Sequence, residues 1–175
     1  VWGVTQQTEP GDVVDAYLRT RGIDEVQYPK ALRTAEKLRD GEGGVHPAMV
    51  ALVTVPGQPK AVSLHRTFLA KDGKGKADIP SPRKMMPGSL PDGACIKLSE
   101  YTGGPLGIAE GIETAMAASA MYQMPVWSAI NTSILKKWLP PDGCDEVWVF
   151  GDNDASFAGH AASYELARRL HAKNI

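Results

Sequence analysis

Three acidic residues follow two short apolar segments, and their chemistry suits a metal ion. Glu110 follows residues 106–109, and Asp152 and Asp154 follow residues 147–150. Each segment is rich in β-forming residues and precedes a helical pattern, so both are predicted to be strands of one open α/β sheet, with the acids at its carboxyl edge. Carboxylates gathered at one edge are costly without a counter-charge, and a hard divalent cation is the usual one. We therefore predict a metal site formed by these three acids.

Each acid also has a simpler interpretation, because neither motif is specific on its own. The Asp-x-Asp spacing points both carboxylates to one side of a tight turn, as a shared Mg²⁺ requires. Acids near a helix N-terminus, however, are often only partners of the helix dipole. The same alternative applies to Glu110, whose neighbour Gly111 permits a sharp turn, and it is the preferred interpretation of Glu113.

The elements that position these acids alternate between strand and helix. The predicted strands are 106–109, 126–130 and 146–150, and the predicted helices are 112–122, 133–138 and 157–173. This order predicts a parallel sheet with right-handed crossovers, flanked by helices. A fourth strand is expected where the chain stops at Ile175, and a start at Val1 without an initiating Met indicates a piece of a longer protein.

The first hundred residues predict a smaller subdomain of mixed α+β structure. Its predicted elements are a helix at 12–21 capped by Asp12, a second helix at 30–39, strands at 48–55 and 61–70 joined by a turn at 56–59, a flexible basic loop at 71–76, an irregular segment at 79–91 and a strand at 95–98. The two strands before the basic loop are expected to pair as an antiparallel hairpin. We thus predict a basic subdomain over residues 1–100 and a parallel-sheet domain, truncated before its last strand, over residues 101–175.

Composition limits the class of protein, and the distribution of charge suggests the kind of substrate. With 43% apolar and 22% charged residues the chain is globular, and it has no apolar run long enough to span a membrane. Residues 60–86 carry a local charge of +5 and residues 100–154 one of −6. A basic segment together with an acidic site suits a polyanionic substrate bridged by metal, although scattered solvated charges would give the same pattern.

The cysteine and tryptophan residues predict no further site. Cys95 and Cys144 form no CxxC pair and no HxxxH pair is present, which argues against a zinc site and a disulfide framework. Both are interpreted as reduced cysteines of a cytosolic protein. Trp127, Trp138 and Trp148 fall in predicted strands or a predicted helix, so we expect core positions rather than base-stacking ones.

Taken together, the two acidic motifs resemble those of the Toprim domain, which bacterial-type primases, type IA and type II topoisomerases and some nucleases share. Residues 107–111 match its first motif, a hydrophobic strand ending in Glu-Gly, and residues 149–154 match its second, a strand ending in Asp-x-Asp. The 42 positions from Glu110 to Asp152 fit one intervening strand and two helices. The sequence looks most like plasmid and phage primases and primase–helicases, and residues 47–98 resemble the basic subdomain that precedes Toprim in those proteins.

The resemblance implies a DNA primase core that makes short RNA primers on single-stranded DNA by nucleotidyl transfer. Glu110 would act in acid–base or metal chemistry, and Asp152 with Asp154 would hold Mg²⁺ or Mn²⁺, as one ion or two, with no zinc in this fragment. Basic side chains would bind nucleotide and template phosphates, and the candidates are Arg66, Arg83, Lys84, Lys74 and Lys76. Arg66 is the strongest candidate because an unpaired Arg on an apolar strand face would be expensive. The two loop lysines also fit simple solvated charges.

The implied partners are a single-stranded DNA template, nucleoside triphosphates and a replicative helicase, or fused helicase and zinc-binding domains, in the cytoplasm and away from any membrane. Two departures bear on activity. Bacterial replicative primases have an Asp four residues after the first Glu, where this chain has Thr114. The last Toprim strand and any acids beyond it are also expected to be missing, so a third metal ligand could be absent and the isolated fragment could be inactive alone.

Other functions share parts of this pattern. A Toprim nuclease would use the same acids for hydrolysis, although the basic segment before the motif favours a primase. A topoisomerase needs a nucleophilic tyrosine on a separate domain, and nothing in this sequence indicates one. A haloacid-dehalogenase-type phosphotransferase has its Asp-x-Asp early in the chain, whereas only 21 residues follow Asp154 here. A non-catalytic DNA-binding or assembly module of the same fold stays open.

Overall fold

The computed structural model describes residues 1–58 and 60–175, so Pro59, the last residue of the predicted turn at 56–59, lies outside the described residues. The chain forms two compact units. The first combines Val1–Leu52 with Ser63–Gly88, and the second combines Val53–Val62 with Ser89–Ile175. The domain boundary between residues 100 and 101 stays a prediction.

The first unit is built on a five-stranded sheet in the order β1-β2-β3-β4-β5. Its strands are β1 Gln6–Gln7, β2 Leu32–Arg39, β3 Val45–Val53, β4 Ser63–Phe68 and β5 Arg83–Met85. The pairs β1–β2, β2–β3 and β4–β5 are antiparallel. Amide hydrogen bonds from Val62 to the Val53 carbonyl and from Leu69 to the Pro47 carbonyl, at opposite ends of the β3–β4 pair, confirm the predicted hairpin.

The helix predicted over residues 30–39 is wrong, because this segment forms strand β2. Leu32, Ala35 and Leu38 are all buried, and their spacing of three imitates a helical stripe. The register between β2 and β3 shifts between Ala35 and Leu38. Such a bulge inserts extra residues into one strand and returns Leu38 to the core face. Leu32 lies on the opposite face of β2, which is also buried, so burial on both faces together with the bulge produced a helical pattern in the sequence.

Helix α1, Val13–Thr20, agrees with the prediction for residues 12–21. The Asp12 carboxylate accepts hydrogen bonds from the amides of Val14 and Asp15, at 2.8 and 2.9 Å, which satisfies two of the amide groups that a helix start leaves without partners. The first unit buries a small apolar cluster against the sheet, consisting of Ala35, Leu38, Ala48, Val50, Phe68 and Ala77.

The second unit contains the predicted alternation of strands and helices. Its elements are β6 Leu106–Ala109, α2 Ile112–Tyr122, β7 Val126–Ser128, α3 Thr132–Leu135, β8 Val147–Phe150 and α4 Ala158–His171. The three strands form a parallel sheet in the order β7-β6-β8. The predicted fold class, a parallel sheet flanked by helices and preceded by a mixed subdomain with an antiparallel sheet, is confirmed.

Several elements differ from their predicted bounds or type, and helix α3, for example, ends at Leu135 rather than at residue 138. Strand β7 ends at Ser128 rather than at residue 130, because Ile130 adopts a left-handed backbone conformation with φ of 73°. Residues 95–98 form only the isolated bridges Thr54–Cys95 and Ile96–Ser128 instead of a strand. The segment at 79–91, predicted to be irregular, contains the short strand β5.

The core of the second unit lies around Trp127 and Trp138, both almost fully buried as predicted. The core prediction for Trp148 is wrong, since this side chain is 41% exposed. Trp148 lies on the edge strand β8, and its indole Nε1 donates to the exposed Glu146 carboxylate at 2.8 Å. Among residues 1–58 and 60–175, no helix has both the length and the apolar character that crossing a bilayer requires.

Candidate metal centre

The candidate centre lies at the carboxyl edge of the parallel sheet. Strands β6 and β8 are direct neighbours, with Ala109 opposite Phe150 in the register. Because both strands run in the same direction, Glu110 and the loop that starts at Gly151 leave the sheet at the same edge. All four residues of β6 are buried, so the position of Glu110 is set by a packed strand rather than by a mobile loop.

Glu110 is half-buried, and its backbone is tied to the third strand of the sheet. The Ser128 hydroxyl, at the end of β7, donates to the Glu110 carbonyl oxygen at 3.0 Å. The Ser128 hydroxyl oxygen also accepts the amide hydrogen of Ile130, at 3.2 Å. Ser128 is fully buried. One buried hydroxyl therefore links the Glu110 turn to the strained turn at Ile130.

Asp152 is also half-buried, and its carboxylate contacts the helix that follows Glu110. Thr114 Oγ1, in the first turn of α2, donates to Asp152 Oδ1 at 3.1 Å. Thr114 is the residue at which the sequence departs from the bacterial replicative primases. The structure thus brings the segments that carry Glu110 and Asp152 together at one edge through a side-chain hydrogen bond.

Asp154 lies farther along the loop and is exposed. One carboxylate oxygen accepts hydrogen bonds from the Ser156 amide, at 2.8 Å, and from the Ser156 hydroxyl, at 2.5 Å. The bond from the Ser156 hydroxyl is the main cause that holds the pKa of Asp154 below its usual value of 3.8. Asp154 is therefore engaged in a local turn before α4, and its role as a metal ligand stays a prediction.

The described residues, 1–58 and 60–175, contain no group of three or more His, Cys, Asp or Glu side chains arranged around a common metal position. The sharing of one ion by all three predicted acids therefore stays a prediction. Mg²⁺, however, usually keeps several waters and is held by only one or two carboxylates. The hard oxygen donors of Glu110 and Asp152, the latter already oriented by a neutral hydroxyl, fit that kind of site.

The backbone of Asp152 is held from the other side by helix α4. A methyl group added to Gly159 would lie 2.5 Å from the Asp152 carbonyl oxygen and 3.1 Å from its amide nitrogen. Only a glycine allows this close approach. This role of Gly159 was not predicted from the sequence, although a glycine in the first turn of a helix costs helix stability and is a signal of a packing constraint.

Replacing Gly159 by Ala should push the Asp152 backbone away from its position. Overpacking of this kind costs about 1–3 kcal/mol, and the gain in helix propensity returns at most about 1 kcal/mol. We therefore expect a lower melting temperature together with weaker Mn²⁺ binding, measured by differential scanning calorimetry and by titration calorimetry.

The matched control is Gly75→Ala. Gly75 has nothing within 4 Å of an added methyl group, and its φ lies outside the left-handed region. This variant should bind Mn²⁺ like the wild type. Unchanged melting and Mn²⁺ affinity in Gly159→Ala would show that the contact with Asp152 does not position the acid.

The five basic candidates all lie in the first unit, and their side chains differ in exposure and in hydrogen-bond partners. Arg83 on β5 is exposed, whereas Lys84 donates to a Glu42 carboxylate oxygen at 2.5 Å and to the Asp40 carbonyl at 3.1 Å. Lys84 would have to leave this ion pair to bind a phosphate. Arg66 on β4 donates from Nη2 to the Met85 carbonyl at 2.9 Å, and its buried Nε has no hydrogen-bond partner among the described residues.

The basic loop at 71–76 is more ordered than predicted. Gly73 has φ of 68°, and a methyl group there would lie 2.7 Å from the Ala16 side chain, so the loop packs closely on α1. The Asp72 carboxylate accepts the amide hydrogen of Lys74 at 3.0 Å. The Lys74 side chain is exposed. Lys76 forms a backbone bridge with Leu69. A role for either lysine in DNA binding stays a prediction.

Comparison with protein families assigns both parts of the chain. A family described as a domain of unknown function (DUF7146) matches residues 1–97, and the Toprim domain matches residues 105–175. The second match starts one residue before β6 and includes Glu110, Asp152 and Asp154. Neither the curated proteins nor the solved structures gave a significant match.

Proposed function

This chain belongs to the family described as a domain of unknown function (DUF7146) and carries a Toprim domain at residues 105–175, and on that premise we propose that it is the catalytic core of a DNA primase. It would make short RNA primers on a single-stranded DNA template by nucleotidyl transfer. Toprim domains are compatible with metal-dependent nucleotidyl transfer and with nuclease activity. An enzyme of one of these two classes is therefore expected.

The observation that carries the proposal is the pairing of the two acidic segments at one sheet edge. Glu110 and Asp152 follow adjacent, in-register parallel strands, and Thr114 joins the second acid to the helix after the first. In the proposed site these two carboxylates hold Mg²⁺ or Mn²⁺, with Asp154 as a further ligand. A bound ion would supply positive charge for the phosphate and for the leaving group. In this proposal Glu110 would also take part in proton transfer from the primer 3′-hydroxyl.

The proposed binding residues for triphosphate and template are the basic side chains of the first unit. Residues 60–86 carry a net charge of +5, which favours a polyanionic ligand. Arg66 is the first candidate, because a guanidinium forms paired hydrogen bonds with phosphate oxygens, although its buried Nε could reach a phosphate only after the side chain moves. Arg83 and Lys74 are exposed and could contact the backbone of a template directly. Lys84 and Lys76 complete the proposed set.

The proposal extends to the partners and location that go with primer synthesis. A primase acts on DNA that a replicative helicase has opened, so a helicase is the expected protein partner, either separate or fused together with a zinc-binding domain. The expected location is the cytoplasm of a cell that maintains a plasmid or phage replicon. These points rest on the resemblance to plasmid and phage primases.

The test is to incubate the 175-residue chain with a single-stranded DNA template, labelled ribonucleoside triphosphates and Mn²⁺. We expect short RNA products, and we expect Glu110→Gln to reduce them by roughly 100-fold or more, because it removes a charged group from the metal site. The matched control is Asp145→Asn, an exposed acid before the opposite end of β8, which should keep wild-type activity.

Two other outcomes would assign a different function. Degradation of the template in the absence of nucleotides, sensitive to the same Glu110→Gln change, would identify a nuclease. Binding of the template without any product would identify a non-catalytic DNA-binding module. Either result would contradict the primase proposal.

A further inference from the structure

We propose that Thr114 is a positioning residue that holds Asp152 in the orientation of a metal ligand. The inference rests on the proposed function, because it concerns the same metal-binding edge. It deepens that function by assigning a role to a residue that is neither acidic nor basic.

The Thr114 hydroxyl lies between the two acidic segments. Its oxygen lies 3.1 Å from Asp152 Oδ1, an ordinary hydrogen-bond distance. It is also close to the turn after Glu110, since a methyl group on Gly111 would lie 3.8 Å from this hydroxyl oxygen. Thr114 is half-buried in the first turn of α2, where its backbone is fixed by the helix. Thr114 therefore belongs to the helix that follows β6, and it contacts the loop that follows β8.

Asp152 is restrained both at its backbone and at its carboxylate. Gly159 restrains the backbone of Asp152 by close packing, but packing against the backbone leaves the side chain free to change rotamer. The hydrogen bond from Thr114 acts on the carboxylate itself. Hydrogen bonds of this kind, made to a metal ligand by a neighbouring side chain, typically change metal affinity by about 10- to 100-fold.

A hydroxyl also suits this position chemically. It can donate a hydrogen bond to a carboxylate, whereas an acidic side chain at the same position would repel an ionised Asp152. Threonine is also β-branched, so its χ1 angle in a helix is largely limited to two rotamers. The side chain at position 114 is thus suited to orienting an acid without adding charge to the edge.

The test compares Thr114→Val with Thr114→Ser by Mn²⁺ titration calorimetry on the protein without nucleic acid or nucleotides. Valine keeps the shape but removes the hydroxyl, and we expect Mn²⁺ affinity to fall by about 10-fold. Serine restores the hydroxyl and should bind within about twofold of the wild type. The matched control is Ser119→Ala on the same helix, which removes a hydroxyl that donates to the Met124 carbonyl at 2.7 Å. This control should leave Mn²⁺ affinity unchanged.

The outcomes separate this inference from the proposed function. If the wild type binds Mn²⁺ and Thr114→Val binds it equally tightly, the positioning role is wrong, but the proposed metal site is unaffected. An equal loss in the Val and Ser variants, or a similar loss in Ser119→Ala, would also overturn the role, because the effect would not follow the hydroxyl. Absence of Mn²⁺ binding by the wild type itself would overturn the metal site, and the inference with it. Melting curves of every variant identify any loss caused by unfolding.

Discussion

Replacing Asp152 by Asn is expected to abolish both Mn²⁺ binding and primer synthesis while the protein stays folded. Asparagine keeps the size of the side chain and an oxygen that can accept the hydrogen bond from Thr114, but it removes the negative charge that a hard cation requires. Altering a residue that merely supports a metal ligand costs about 10- to 100-fold in affinity. Loss of a ligand should cost more, so we expect a reduction of over about 100-fold in both measurements.

The effect should be specific to the carboxyl edge of the sheet. Asp145→Asn provides the comparison, since Asp145 is exposed and precedes the amino end of the same strand, β8. This control should bind Mn²⁺ and extend primers like the wild type. If Asp152→Asn retains Mn²⁺ affinity, or if both variants lose it equally, Asp152 is not a metal ligand.

A second large effect is expected in the first unit, from Asp15→Ala. Asp15 lies in α1 and is only 3% exposed. Its carboxylate accepts hydrogen bonds from the Tyr28 hydroxyl at 2.5 Å, from the Gly11 amide at 2.8 Å and from Arg19 Nε at 3.0 Å. Removing the acid leaves these donors without their acceptor, and the Tyr28 side chain is itself buried. A loss of about 3 kcal/mol in the free energy of unfolding follows.

The control for this prediction is Asp24→Ala. Asp24 also pairs with Arg19, at 2.8 Å, but it is exposed, and exposed ion pairs contribute at most about 1 kcal/mol. Hydrogen exchange of the amides in β2 and β3 would measure the stability of the first unit directly. Equal protection in the two variants would contradict the central role of Asp15 in this network.

The same carboxylate makes the stability of the first unit depend on pH. Burial acts to raise the pKa of Asp15, but the hydrogen bonds from Tyr28, Gly11 and Arg19 outweigh it and leave the pKa below the usual value of 3.8. A lowered pKa in the folded state means that the stabilisation is complete above about pH 4 and is lost as the pH falls through the folded value. The difference in stability between the wild type and Asp15→Ala should therefore shrink below about pH 4.

The second unit could be predicted well because its local signals agree with its tertiary structure. Residues 112–122 form α2 with the bounds that the helical stride predicts, and residues 106–109 form β6. The alternation of strands and helices sufficed for a parallel sheet, because a helix between two strands returns the chain to the same end of the sheet. The position of Glu110 and Asp152 at a common edge followed from the same rule.

Features that depend on contacts between distant residues could not be predicted. The bulge in β2 is visible only in its register with β3, and without it Leu32, Ala35 and Leu38 are indistinguishable from a helical stripe. The exposure of Trp148 depends on which strand forms the edge of the sheet. The hydrogen bonds of Ser128 and Thr114 join residues 18 and 38 positions apart, and no local pattern in the sequence contains them.

Glu110 and Asp152 are proposed to bind one divalent ion, and crystals of the 175-residue chain grown with Mn²⁺ would show whether they do. Anomalous scattering locates Mn²⁺ independently of any assumption about its ligands. We expect a peak at the carboxyl edge of β6 and β8, with carboxylate oxygens of both residues at about 2.1 Å. A peak bound by other residues, or crystals that take up Mn²⁺ nowhere on this edge, would show that the two acids do not share an ion.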